Sequence, residues 1–247
     1  MPHGGTHPFP YSPFRACADI KATIRPTNDF RVLGVQGLLI DEIETEFYGI
    51  LPDSATKSAV SADLVTTFKD LWEILQSNKD SLHLAGTTEE IFDSYWKTLM
   101  TETSFPLAGT KEHGACSAAA AWAKLYSGSK DKHPQIAGVH AECPQASWRQ
   151  YRHRMNLNAV RRKFIITKAG RMGWTPDTAQ RGDPIFILKG GCVPFILRSA
   201  SAANEVHSCP TYILVGESYV HGLMHGEYFT HLAPSSADVK WQDIDLI

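Results

Sequence analysis

Cysteine is scarce in this chain of 247 residues, which has Cys17, Cys116, Cys143, Cys192 and Cys209. The number is odd and no two form a C-x-x-C pair. That argues against a disulfide framework and against a thiolate zinc site. Five reduced thiols in a reducing compartment are expected. No stretch approaches the roughly 20 apolar residues that a membrane span needs. The N-terminus, Met1-Pro-His-Gly-Gly5, has neither the basic flank nor the apolar core of a secretion signal. A cytoplasmic protein without a membrane partner is the expectation. Neither sign of charge prevails, with 24 Lys and Arg against 26 Asp and Glu, so nothing in the balance points to a polyanion partner. A phosphate-binding Gly-Lys loop, a Gly-x-Ser-x-Gly turn and a dinucleotide Gly-x-Gly-x-x-Gly are also missing. No cofactor is expected.

What is present reads as a globular α+β chain, with 43% hydrophobic residues. Residues 1–29 are proline-rich and read as an extended leader, with aromatics such as Phe14 able to tack it onto the body. Residues 30–160 read as mainly helical with one or two strands. Phe30 to Ile43 is β-like, punctuated by Gly34 and Gly37, and the run Asp41, Glu42, Glu44, Glu46 reads as a solvated exit. Leu64, Val65, Phe68, Leu71, Trp72 and Leu75 share one helical face. A second helix follows a capping box of Thr87 and Glu90, with Ile91, Phe92, Tyr95, Trp96, Leu99 and Met100 on one side. Ala115 to Tyr126 is helix-prone, Ser127 to Pro144 reads as a loop, and Ala146 to Val160 as a basic helix.

Residues 161–233 change character, with short apolar runs separated by turn signals. The expectation is a small antiparallel β-barrel-like module of four or five strands, followed by a tail over 234–247. Gly170, Gly173, Gly182, Gly190, Gly216, Gly222 and Gly226 read as backbone requirements of turns, with Asp183 capping the Gly-Asp turn. Three sets of residues carry candidate chemistry. Glu217, His221 and Glu227 could act as general acid and base in a small hydrolase or nucleotide-processing enzyme. His221 and His225, four apart, could grip a metal, although the glycines break any helix there. Arg149 through Arg161, Arg162 and Lys163 could hold phosphate or nucleic acid. Arg198 is expected to pair with Glu217.

Phe164-Ile-Ile-Thr167 with Gly170 and Gly173, then Arg181-Gly-Asp183, Leu188-Lys-Gly190 and Pro194-Phe-Ile-Leu-Arg198, follow one another at fixed spacing. Tyr212-Ile-Leu-Val-Gly-Glu217 and Tyr219-Val-His-Gly-Leu-Met-His-Gly-Glu227 continue the series. The set resembles the C-terminal region of fungal heterokaryon-incompatibility (HET-domain) proteins. Phe30 to Ile43 and Tyr95 to Leu99 resemble that region further upstream. Nothing here resembles the HET domain itself. The resemblance implies a non-catalytic accessory or sensing region in non-self recognition and programmed cell death, with a HET effector domain as its protein partner, in cis or in trans.

Overall fold

The computed structural model describes residues 14–47, 60–101, 155–200, 209–230 and 239–247. The first 13 residues of the expected leader, the helix at 115–126, the loop at 127–144 and the basic residues Arg149, Arg152 and Arg154 lie outside them. The chain divides into two units. One comprises residues 1–48 and 162–247, the other residues 49–161.

In the smaller unit, helix α1 (Val60–Ser77) and helix α2 (Thr88–Met100) follow from their apolar stripes. Trp72 stacks on Tyr95 at 5.4 Å and meets the edge of Phe92 at 5.2 Å. The Tyr95 hydroxyl donates to the Phe68 carbonyl at 2.6 Å, so the buried ring keeps its polar end satisfied. Thr87 and Glu90 form the reciprocal capping box, which supplies the first turn of α2 with two of its missing partners. Asn158 donates to the Leu99 carbonyl near the other end.

The larger unit is built on nine strands: β1 (Ile24–Arg25), β2 (Leu33–Phe47), β3 (Arg162–Thr167), β4 (Met172–Pro176), β5 (Pro184–Leu188), β6 (Phe195–Ser199), β7 (Thr211–Glu217), β8 (Tyr219–Val220) and β9 (Gln242–Leu246). A short helix, α3 (Glu227–Thr230), follows β8. Strand β2 pairs with β5 and β9, β5 with β6, β6 with β7, and β7 with β9. These pairings close a ring of five strands. All are antiparallel except β7 with β9. Alternate residues point into the ring. Phe186, Leu197, Ile244 and Leu246 are buried together there, with Val35, Leu188, Phe195 and Tyr212 packed against them. Gly37 faces the same interior, where a Cβ would lie 3.0 Å from both Ile244 and Phe186.

Strand β2 is 15 residues long and outlasts the barrel. Its second half pairs with β3, β3 with β4, and β4 with β8. The register places Phe47, Phe164, Trp174 and Tyr219 side by side across this sheet. The rings of Phe164 and Trp174 meet edge to face at 5.4 Å, and Phe14 meets the edge of Tyr219 at 6.1 Å.

The α+β class holds, but two expected boundaries move, and the leader is attached to the body as Phe14 suggested. The β-like segment from residue 30 belongs with the barrel and not with the helices. The tail over 234–247 contains β9, which sits between β7 and β2 and completes the ring. The leader, over its described part, is tied down. Arg15, Ala16 and Cys17 donate backbone hydrogen bonds to Met224, Cys192 and Gly191, and Phe14, Ala16 and Cys17 are buried. In each case a long-range partner supplies the hydrogen bonds that local sequence does not show.

This N-terminal strap runs over Gly190, which has φ +86° and would place a Cβ 2.5 Å from Ala22. Gly190→Ala is therefore expected to destabilise the larger unit by about 2 kcal/mol, from positive φ and backbone overlap together. A urea midpoint unchanged from the parent protein would contradict this.

Candidate functional site at the crossing of the long strand

Strand β2 leaves the barrel between Asp41 and Ile43. Its pairing with β5 ends at Glu42–Pro184 and its pairing with β3 begins at Ile43–Thr167, with register shifts in both ladders nearby. Such irregularities turn a strand from one sheet into another. Two buried carboxylates mark the crossing.

Asp41 has a side chain only 4% exposed. Its Oδ2 accepts from the Thr167 hydroxyl at 2.7 Å and from Arg171 Nη1 at 2.9 Å. Its Oδ1 accepts from the backbone N–H of Glu42 at 2.9 Å and of Ala169 at 3.3 Å. Asp183 is held by three bonds. Its Oδ1 accepts from Arg198 Nε at 2.9 Å, and its Oδ2 from Arg198 Nη2 at 2.6 Å and from the Gln180 N–H at 2.9 Å. This two-pronged bond pushes the Arg198 guanidinium up from its ordinary value. Backbone bonds from Gly182 to the Ile43 carbonyl and from Ile43 to the Asp183 carbonyl then fix that turn to β2. A carboxylate has about four acceptor positions, and those of Asp41 are occupied. Both groups are tied to partners within the fold, so the crossing is a fixed joint.

The acidic run is not a solvated exit. Asp41 pairs with Arg171, Glu42 with Lys168, Glu44 with Arg181 and Glu46 with Lys163. Each carboxylate meets a cation carried by the chain between residues 163 and 181.

Each residue of the expected acid–base set has a neighbour outside the set. Glu227 accepts from the backbone N–H of His225 at 2.6 Å, while the His225 ring lies against Phe14. His221 Nδ1 stands 3.5 Å from the Tyr219 hydroxyl. Glu217, at the end of β7, lies near Arg162 and partly offsets that residue's burial. No hydrogen bond among the described residues joins Glu217, His221 and Glu227. Nor do three His, Cys, Asp or Glu side chains among them converge as metal ligands.

The basic patch is also corrected where it can be followed. Arg161 is exposed, but Arg162 and Lys163 are buried. Burial pushes the Arg162 guanidinium down to about 10, against a smaller opposing effect of Glu217. Lys163 Nζ donates to Glu46 and to the Ala179 carbonyl, both at 2.8 Å. These two cations face inward because their strand has both faces covered. Arg198 pairs with Asp183 and not with Glu217. The β6–β7 register sets Arg198 opposite Ile213 and Glu217 opposite Phe195, so the two lie at different levels of the ladder.

Gly170, Gly182, Gly190, Gly216, Gly222 and Gly226 have positive φ. Gly173 has another constraint. Its Cβ would sit 2.5 Å from the Tyr219 carbonyl, where β4 meets β8. Arg171 and Trp174 were not singled out by sequence reasoning, and Thr167 entered only as part of a strand motif. The available signal was that the cations of residues 163–181 match in number the carboxylates of residues 41–46.

A closed small barrel, with a flanking sheet hung on its longest strand, defines the class of domain. Residues 117–233 match the Het-6 beta-barrel domain family. The match takes in β3 to β8 and leaves outside it β2 and β9, the two strands that close the ring. The chain is also similar to heterokaryon incompatibility protein 6 (OR allele) of Neurospora crassa, with 23% identity over 239 residues. That covers 87% of this chain and 35% of the relative, so the chain spans about a third of the length of the curated protein it matches. Both likenesses agree with the resemblance drawn from the sequence motifs. No solved structure matches significantly. Among the described residues no helix is long and apolar enough to cross a membrane.

Proposed function

We propose that this chain is a non-catalytic accessory or sensing region of a heterokaryon-incompatibility protein. It receives or relays a signal for a HET effector domain, supplied in cis or in trans, and acts in the cytoplasm. The observation that carries this reading is the saturation of the strand crossing. Asp41 spends its acceptor capacity inside the fold and Asp183 most of its own, as Lys163 spends its charge. Groups held in this way serve rigidity and not turnover. A rigid barrel suits a docking role, because binding then orders little that was loose. The likeness to heterokaryon incompatibility protein 6 supports the biological setting.

The test is co-expression of the tagged chain with a HET domain in a filamentous fungus. Co-purification of the two, with a change in HET-driven cell death, is the expected result. No association and an unaltered death response would overturn the proposal.

A further inference from the structure

The strap from Phe14 to Ile20 crosses the connection between β5 and β6, and the crossing brings two cysteines together. Cys17 donates its backbone N–H to the Gly191 carbonyl at 3.2 Å, and Ala16 donates to the carbonyl of Cys192 at 3.0 Å. With ordinary bond lengths the path through the Cys17–Gly191 bond keeps the two cysteine Cα atoms within about 9 Å of each other, a limit that includes the range a disulfide spans. The Cys17 sulfur already lies over the same turn, accepting from the Gly190 N–H at 3.1 Å. Cys17 is 1% exposed, whereas Cys192 is open to solvent. We infer that Cys17 and Cys192 form a reversible disulfide that fastens the N-terminal strap to the β5–β6 turn.

The chemistry is asymmetric. Burial pushes the Cys17 thiol up, against smaller lowering effects of the Gly190 and Gly191 N–H groups and of Lys189. Reaction therefore begins at the exposed Cys192. Its thiolate attacks one sulfur of oxidised glutathione and displaces one glutathione thiolate. Cys17 then gives its proton to solvent and attacks the Cys192 sulfur of the mixed disulfide, displacing the second glutathione. Two protein thiols are oxidised, and one oxidised glutathione becomes two reduced ones. In a reducing compartment the pair rests as thiols, and the bond forms when the surroundings turn oxidising.

The full chain, equilibrated in glutathione buffers of increasing oxidation, is alkylated and digested with trypsin without reduction. Mass spectrometry is expected to find residues 16–21 joined to residues 190–198. Cys192→Ser, a change at an exposed side chain, abolishes that peptide, and Cys209→Ser leaves it in place. In the reduced protein, iodoacetamide modifies Cys192 before Cys17. The inference is overturned if Cys192 ends only as a glutathione adduct, or joins another cysteine in preference to Cys17. It is equally overturned if the linked peptide survives Cys192→Ser.

Discussion

Trp174→Ala is expected to destabilise the larger unit by about 3–5 kcal/mol, the usual range for removing a buried aromatic. Trp174 is 1% exposed. It stands in register between Phe164 and Tyr219, so the substitution opens a cavity in the middle of a row and not at its end. The edge-to-face contact with Phe164, with the rings 89° apart, is lost as well, adding about 1 kcal/mol to the transfer loss. A fall in melting temperature of roughly 10 °C follows for a chain of this size. Differential scanning calorimetry reads it directly, and Trp174→Phe should recover part of the loss. A melting temperature unchanged by Trp174→Ala would mean that the aromatic row does not support the sheet.

Asp183→Ala is expected to cost about 3 kcal/mol, near the lower end for breaking a buried ion pair. The value is placed low because Arg198 remains 34% exposed, and water can take over part of its charge. Two losses combine. Arg198 keeps its charge beside a buried gap, and the turn from Gln180 loses the acceptor for its N–H. The double variant with Arg198→Ala should be only slightly less stable than Asp183→Ala alone, because the second change removes a cation that has already lost its partner. Additive losses in this double-mutant cycle would show that the two residues act independently.

Much of the local structure was legible in the sequence. The helical stripes of α1 and α2, the capping box and the glycine-marked turns between Thr167 and Val220 all depend on residues close together in the chain. The joint at Asp41 and Asp183 was not. Asp41 stood in what looked like a solvated acidic run, and its partners Thr167 and Arg171 lie 126 and 130 residues away. Asp183 was recognisable as a turn cap, because Gln180 is three residues away. Its pairing with Arg198 depends on how β5 and β6 align, and composition carries no record of that alignment.

The sequence by itself determined helices α1 and α2 and a series of short strands, reversing at glycines that no other residue replaces cheaply. Helical period, capping and turn geometry are local, so the order of residues suffices for them. Only the tertiary structure decided that β2 runs through both the barrel and the flanking sheet, that β9 closes the ring, and that Arg162 and Lys163 turn inward. Those outcomes rest on pairing between strands far apart in the chain. A shift of one residue there exchanges the buried face for the exposed one, and the choice is made by packing across the whole unit.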